Sequence, residues 1–179
     1  MVEKMKTAAE RLREGNISLI LDSYDDLFSD FDPRPYVQRA LSDDFLVECK
    51  KASVVKKSKI ELRMMIPKHK RNHFDEVKIR KRMKEHFNKH FKDEEKKVRN
   101  IKATGSFWFF LGVVLMLLGG FMLKKEDFFS KLIMIMFEPA GWFFFWEGLN
   151  KVFIYAKEKS ENFEFYKKMA NADIYFLDY

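Results

Sequence analysis

Two apolar runs, separated by a short charged turn, constrain this chain more than any other feature of its sequence. The first, Phe107–Leu123, has 17 residues and no charged side chain, and Ser106 extends it. A helix of about 18 to 20 apolar residues can cross the roughly 30 Å of hydrocarbon in a bilayer. The sequence therefore predicts a membrane-spanning helix at this position.

The second run, Phe128–Leu149, is also long enough to span, but ionisable side chains and a proline interrupt it. Lys131 lies near its start, Glu138 and Pro139 lie in its middle, and Glu147 lies near its end. This pattern predicts a second span that returns across the membrane with a kink at the proline. The charged turn between the runs consists of Lys124, Lys125, Glu126 and Asp127.

The basic excess of the chain is concentrated directly before the first apolar run. Residues 1–67 carry 12 basic and 12 acidic side chains, residues 68–102 carry 14 and 6, and residues 103–179 carry 8 and 9. Because Lys and Arg beside a span are retained on the cytoplasmic side, the N-terminal part is predicted to be cytoplasmic. We expect a multi-pass protein of the plasma or inner membrane with both termini in the cytoplasm.

The lipid bilayer is the first predicted partner. The four basic residues nearest the first span are expected to contact anionic headgroups of the inner leaflet; they are Lys96, Lys97, Arg99 and Lys102. A nucleic-acid site would require aromatic side chains exposed beside basic ones, whereas Phe87 and Phe91 belong to a predicted apolar stripe. The sequence therefore predicts no nucleic-acid partner.

The first half of the chain predicts a strand, a helix and a second strand. Ile17–Leu21 is apolar on both faces, which is typical of a strand in the centre of a sheet. Pro35–Ala52 has helical spacing of its apolar residues, as one helix or as two with a fresh start at Ser42. Ile60–Ile66 alternates apolar and polar residues, as half-buried strands do. Such a unit most often forms a right-handed crossover between parallel strands.

A long basic helix is predicted to begin after Asn72 and to run into the first span, with Thr104 and Gly105 as its only soft point. Its apolar stripe comprises Phe74, Val77, Met83, Phe87, Phe91, Val98 and Ile101. After the second span, Glu161–Asn171 predicts a helix and Asp173–Tyr179 a strand. We expect this last strand to pair with the Ile17 strand.

Together these segments predict an α+β membrane protein. A small cytoplasmic sheet of about three strands, packed with helices, would be interrupted by a transmembrane hairpin before the C-terminal helix and strand. The predicted division is a cytoplasmic domain over residues 1–102, the hairpin over 103–150, and a C-terminal part over 151–179 that completes the cytoplasmic domain.

Glu138, next to Pro139, is the most informative single residue. A carboxyl group near the middle of a bilayer costs on the order of 2.5 to 3.5 kcal/mol and usually faces protein or water. Copies of Glu138 in an oligomer could form a ring that selects cations or relays protons. Alternatively, Glu138 is protonated or bonded to a neighbouring helix and serves packing only. Gly112, Gly119 and Gly120 offer small surfaces in the first span, but their spacing is not the glycine-x-x-x-glycine pattern.

An acidic loop between the first strand and the first helix is a weak candidate for a metal site. Hard cations such as calcium or magnesium prefer clustered carboxylates, and the loop contains Asp22, Asp25, Asp26, Asp30 and Asp32. The spacing fits no calcium-loop template. The favoured alternative is a solvated loop that caps the next helix and pairs with Arg34, with Arg39 or with the basic helix.

Other candidates for chemistry are weaker still. His86 and His90 stand four residues apart on one helix face, a spacing that suits zinc, but a surface pair is the favoured interpretation. Cys49 is the only cysteine, which excludes an internal disulfide. Phosphate loops and nucleophile motifs are absent from the sequence, so neither a catalytic residue nor a cofactor is predicted.

The sequence favours a non-enzymatic integral membrane protein with a cytoplasmic interaction or regulatory domain that self-associates or joins a membrane complex. The alternative is an oligomeric channel or transporter subunit that uses Glu138. A membrane-tethered metal-dependent enzyme that uses the acidic loop is the least supported hypothesis.

Overall fold

The computed structural model describes residues 16–54, 60–122 and 127–179, without the side chains of Asn16 and Met122. Three predicted features therefore lie outside the described residues. The sequence predicts a short N-terminal helix over residues 1–14, from the loosely helical spacing of its apolar residues, and a lysine-rich turn over residues 56–59 before the second strand. The third feature comprises residues 124–126 of the turn between the apolar runs.

The described chain combines three strands with four helices of more than ten residues. In order, these are β1 (Asn16–Ile20), α1 (Asp43–Val54), β2 (Glu61–Ile66), α2 (His73–Met122), α3 (Phe128–Asn150), α4 (Ala156–Ala170) and β3 (Asp173–Asp178). Short 3-10 turns lie at Tyr24–Leu27 and Lys68–Lys70, and a π-helical turn at Lys151–Tyr155 joins α3 to α4. The elements form two compact units, Met1–Lys92 with Glu164–Tyr179, and Asp93–Phe163.

The sheet of the first unit has three parallel strands in the order β1-β2-β3. The prediction of a mixed α+β fold with about three strands is confirmed. The predicted pairing of the C-terminal strand with the Ile17 strand is wrong, because both strands pair with β2. β1 was predicted to be central and is an edge strand, and Ile20 in it is 70% exposed. Its apolar run therefore does not reflect burial on two faces.

One face of the sheet forms the core. Alternate residues of the strands point into it and are buried: Ile17, Leu62, Met64, Ile66, Ile174 and Phe176. They share a cluster with apolar residues of three helices, namely Phe45 and Cys49 of α1, Ile79, Met83 and Phe87 of α2, and Phe165 and Met169 of α4. Cys49 is a buried core residue, and this burial raises the pKa of its thiol to about 12.

The other face of the sheet, which we call the open sheet face, is much less covered. The registers place Ile20, Met65 and Leu177 in one row and Ser18, Arg63 and Tyr175 in another. Ile20, Tyr175 and Leu177 are exposed. Parallel sheets are usually covered on both faces, but no helix among the described residues buries Ile20, Tyr175 or Leu177.

Helix α1 begins at Asp43, so the prediction that a helix starts at Pro35 is wrong. The segment before Asp43 instead pairs with the acidic loop. Ser29 N–H donates to the Ala40 carbonyl at 2.9 Å, and Ala40 N–H donates to the Asp32 carboxylate at 2.6 Å. These bonds engage backbone groups that would otherwise form hydrogen bonds within a helix. Of the two predicted helix starts, the one at Ser42 agrees with the structure.

Helix α2 runs without a break from His73 to Met122, as predicted, and the Asn72 side chain accepts a hydrogen bond from Phe74 N–H at 3.0 Å. Its predicted apolar stripe is partly wrong. Phe74 is 78% exposed, whereas Ile79, outside that stripe, is fully buried. The buried face of the first turns is occupied by Glu76, whose polar partners are described below. In α4, Phe165 and Met169 are buried as predicted.

Candidate functional site

Helices α2 and α3 contact each other through four glycines, which we call the glycine seam: Gly105 and Gly112 of α2, and Gly141 and Gly148 of α3. A Cβ atom on Gly112 would lie 2.4 Å from the backbone nitrogen of Phe145. Gly105 lies against Gly148 and Gly112 against Gly141, so the helices are antiparallel. The backbones themselves touch, as small residues permit in packed membrane helices.

Of these four glycines, the sequence indicated only Gly112 as a small contact surface, and the absence of a four-residue glycine spacing made that signal weak. Gly105 and Gly112 are seven residues apart, and so are Gly141 and Gly148. A seven-residue repeat keeps one face of a helix against an antiparallel partner with a small crossing angle. This heptad spacing is the signal that could have identified the seam.

The outward faces of α3 and of the apolar second half of α2 carry many exposed apolar side chains. Both helices are long and apolar enough to cross a membrane, and only 11% of the most apolar 18-residue window of each is buried. The exposed side chains include Phe107, Phe110, Leu117 and Phe121 of α2, and Phe129, Ile135, Trp142 and Trp146 of α3. The core helix of a water-soluble protein would be mostly buried instead.

Glu138 lies on the exposed surface of α3, next to Pro139. It lines a groove of about 730 Å³ together with Met116, Ile135, Pro139 and Trp142. Among the described residues, its carboxylate has no hydrogen-bond or ion-pair partner. Pro139 has no N–H, so the Ile135 carbonyl one turn earlier also lacks its helical donor. A carboxyl group and a free acceptor are thus placed together on an apolar surface.

The four basic residues predicted to contact headgroups lie in α2 before its apolar part. Lys96, Lys97, Arg99 and Lys102 are all exposed. Lys97 donates to Glu94 at 2.7 Å. The structure therefore leaves these side chains accessible, as a contact with headgroups would require.

The five aspartates of the acidic loop are largely used by the loop itself. Asp26 accepts hydrogen bonds from the backbone N–H groups of Asp22 and Ser23, at 2.7 and 3.0 Å. Asp25 forms an ion pair with Arg39. Asp30 is exposed.

Asp32 is bound most firmly of the five. It pairs with Arg34 at 2.7 Å and accepts from Ala40 N–H. Its hydrogen bond with Arg34 holds the Asp32 pKa far below the usual range of a carboxyl group. In the described part of the chain, no three His, Cys, Asp or Glu side chains come together as a metal site would require.

A buried polar network at the carboxyl ends of the strands was missed from the sequence. The Tyr24 hydroxyl donates to Glu76 at 3.0 Å and accepts from Asn72 N–H at 2.9 Å. Arg71 binds Glu76 with two nitrogens, at 2.8 and 3.1 Å, and also reaches Asp178 at 3.3 Å. The network connects the segments that follow β1 and β2 with the last residue of β3.

Glu76 is ionised in this network although it is almost fully buried. Burial acts to raise its pKa, but the hydrogen bonds from Arg71 and Tyr24 outweigh burial and lower the pKa overall. The signal that could have identified Glu76 is its position three residues before the buried Ile79, on the same face of α2.

His86 and His90 are not the surface pair that was expected. Their rings lie 4.4 Å apart, and the His90 ring stacks on Tyr166 at 5.1 Å. His86 Nε2 is buried, and none of the described residues forms a hydrogen bond with it. Burial, assisted by the charges of His90 and Arg82, lowers the pKa of His86 to about 4, so the ring is neutral at pH 7.

Comparisons of the chain with protein-family models, with curated proteins and with solved structures find no match. The geometry described above is therefore the basis of the functional proposal.

Proposed function

We propose that this protein is a non-enzymatic integral membrane protein whose helical hairpin anchors an α+β unit that acts through protein contacts in the cytoplasm. It works as a homo-oligomer or as a subunit of a larger membrane complex. The observation that carries the proposal is the uncovered apolar surface of α2 and α3, held together by the glycine seam.

The energetic argument for the bilayer is direct. Keeping one large apolar side chain in water rather than in an apolar environment costs about 1.5 to 3 kcal/mol. The hairpin exposes many such side chains on both helices, and hydrocarbon is the solvent that removes this cost. Within each helix the backbone groups bond to one another, as a membrane requires, except that the Ile135 carbonyl lacks its helical donor at Pro139.

The charge distribution supports the orientation. The basic block before the first span favours a cytoplasmic location for residues 68–102, and with an even number of spans the C-terminal helix and strand would return to the same side. The three strands must share one compartment to form one sheet, which this topology allows.

The open sheet face supports a role in protein contacts. Ile20, Met65 and Leu177 form an apolar row across all three strands, and β1 and β3 are both edge strands. An exposed apolar patch of this kind typically marks a binding surface. We assign the partner contact to this face, with a second copy of the chain as the first candidate.

The membrane anchor is tested by alkaline carbonate extraction and by tags at both termini. We expect the full chain to stay in the membrane pellet and both tags to be inaccessible from outside intact cells. Val114 and Leu118 are exposed on α2, so the double variant Val114→Lys, Leu118→Lys should be extracted. A wild-type chain that is released by carbonate, or a tag that is accessible outside, would refute the proposed topology.

Glu138 favours a second candidate, an oligomeric channel or transporter subunit. An exposed carboxyl group without a described partner, in the middle of a predicted span, requires water or another polar group. If copies of Glu138 line a pore, reconstituted vesicles should conduct cations and Glu138→Gln should reduce the flux. Equal flux in vesicles with the variant, or none with either protein, would eliminate this candidate.

A further inference from the structure

We infer that the second compact unit holds the phosphodiester group of a membrane phospholipid in a groove of about 470 Å³. The polar residues lining this groove are Asn100 and Thr104 of α2, Glu147 of α3, Lys151 and Tyr155 of the π-helical turn, and Lys159 of α4. This inference rests on the proposed membrane anchor and adds a specific ligand to it.

The groove lies at the level where headgroups would be. A Cβ atom on Gly105 would lie 2.9 Å from Lys151 Cβ and 2.8 Å from Val152 Cγ2, so the start of the π-helical turn is level with Gly105. Gly105 stands between Lys102, the last charged residue before the first span, and Phe107, the first residue of its apolar run. The groove is therefore at the cytoplasmic boundary of the proposed hairpin.

The π-helical turn shapes the groove. Lys151–Tyr155 has the wider i→i+5 bonding of a π-helix, a local insertion that is frequent at functional sites. Lys151, Tyr155 and Lys159 follow one another at intervals of four residues, and all three line the groove. One side of the groove therefore presents two amino groups and a phenol.

The charges of the groove suit a single phosphate charge. Lys151 forms an ion pair with Glu147, and its amino group lies 6.0 Å from the centre of the Trp108 ring. Lys159 is exposed, and the described residues offer it no hydrogen-bond or ion-pair partner. The charges of Lys151 and Glu147 cancel, so the groove has one net positive charge, that of Lys159. This charge matches the single negative charge of a phosphodiester. Thr104, Tyr155 and Asn100 supply neutral donors.

A second groove favours a lipid over free phosphate. It measures about 680 Å³, includes Glu147 in its lining, and is otherwise mostly apolar. Its apolar residues include Trp142, Phe143, Trp146, Leu149 and Phe153. An acyl chain would fit this surface beside the headgroup groove, whereas a free phosphate would gain nothing from it.

The test is native mass spectrometry of the full chain, purified in detergent and titrated with dioleoyl phosphatidylglycerol. Lys159→Gln should weaken lipid binding about fivefold, which is the usual effect of one lysine near an anionic surface. Tyr155→Phe, which keeps the ring, should weaken it as well. Lys157→Gln is the matched control, because Lys157 is exposed nearby and does not line the groove; it should bind like the wild type.

Three results would overturn the inference: an equal loss with Lys157→Gln, a wild type that retains no lipid, or displacement of the lipid by millimolar inorganic phosphate. The first indicates general attraction to a basic surface, and the last indicates a free-anion site. Carbonate extraction of Lys159→Gln separates this inference from the anchor itself, since the variant should remain in the membrane.

Discussion

At the scale of single residues, Glu76 shows how a buried charge is retained in this fold. Its carboxylate receives two hydrogen bonds from Arg71 and one from Tyr24. These partners come from the segments after β1 and β2, and Arg71 also reaches Asp178 at the end of β3. The network replaces apolar packing where the strands end and α2 begins.

Glu76→Gln should destabilise the fold by about 2 kcal/mol at pH 7, because Arg71 loses the charged partner of a nearly buried ion pair. The pKa of Glu76 is lowered in the folded state, so its contribution is complete above about 4.5, the ordinary value, and is lost as the pH falls through the folded value. The difference from wild type should therefore shrink in acid.

Thermal unfolding followed by near-ultraviolet circular dichroism, at pH 7 and pH 3, measures this effect. The control is Glu85→Gln, since Glu85 is exposed on the same helix. A Glu76→Gln variant as stable as Glu85→Gln at pH 7 would show that the network contributes nothing.

His86 should make the protein less stable as the pH falls from 6.5 to about 4. Its pKa is lowered in the folded state, so the unfolded chain binds more protons in this window, and acid favours unfolding. His86→Leu should remove this part of the pH dependence and raise the melting temperature at pH 5. His69→Leu, at an exposed histidine, should leave the pH dependence of stability unchanged. If His69→Leu removed this pH dependence and His86→Leu did not, the argument from burial of His86 would be wrong.

Features that depend only on local sequence, such as a helix cap or the alternation of a strand, were predicted well. Asn72 caps α2 as its side-chain chemistry indicates, and the alternation over Ile60–Ile66 correctly identified the buried face of β2. Glu76 was missed because an apolar stripe was the pattern sought. Its ionised form depends on Arg71, Tyr24 and Asp178, which only the tertiary fold brings together.

At the scale of elements, the glycine seam determines how α2 and α3 associate. Gly112→Ala should destabilise the hairpin by about 1 to 3 kcal/mol, the usual cost of overpacking. The added Cβ would meet the backbone of Gly141 and Phe145, which cannot rotate away.

Gly120→Ala is the matched control, since a Cβ there meets no atom of the described residues within 4 Å. It should be neutral or slightly stabilising, because alanine favours a helix. Unfolding in mixed detergent micelles with increasing dodecyl sulfate compares the two variants. Equal stability of both would show that the helices do not rely on close backbone contact.

The positions of the strands were harder to predict than their existence. β1, β2 and β3 were all expected, yet their order was wrong because an apolar run such as Ile17–Leu21 does not distinguish a central strand from an edge strand beside an open face. Likewise, Pro35 suited a helix start in isolation. The Asp32 carboxylate, bonded to Ala40 N–H, overrides that local preference.

At the scale of the whole molecule, two surfaces compete for the role of self-association. The open sheet face offers an apolar row across three strands, and Glu138 offers a carboxyl group on an exposed apolar helix. The first implies contacts between the α+β units, and the second implies contacts between the proposed membrane helices. The two arrangements differ in which single substitution breaks them.

The mass of the complex in nanodiscs distinguishes the two arrangements, and we expect more than one copy per complex. If the open sheet face joins the copies, Leu177→Asp should reduce the complex to a monomer, because a charge would enter an apolar contact without a partner. Glu138→Gln should then leave the mass unchanged. Reduction by Glu138→Gln alone, starting from a ring of four or more copies, would instead favour the channel. A monomeric wild type would exclude both forms of self-association.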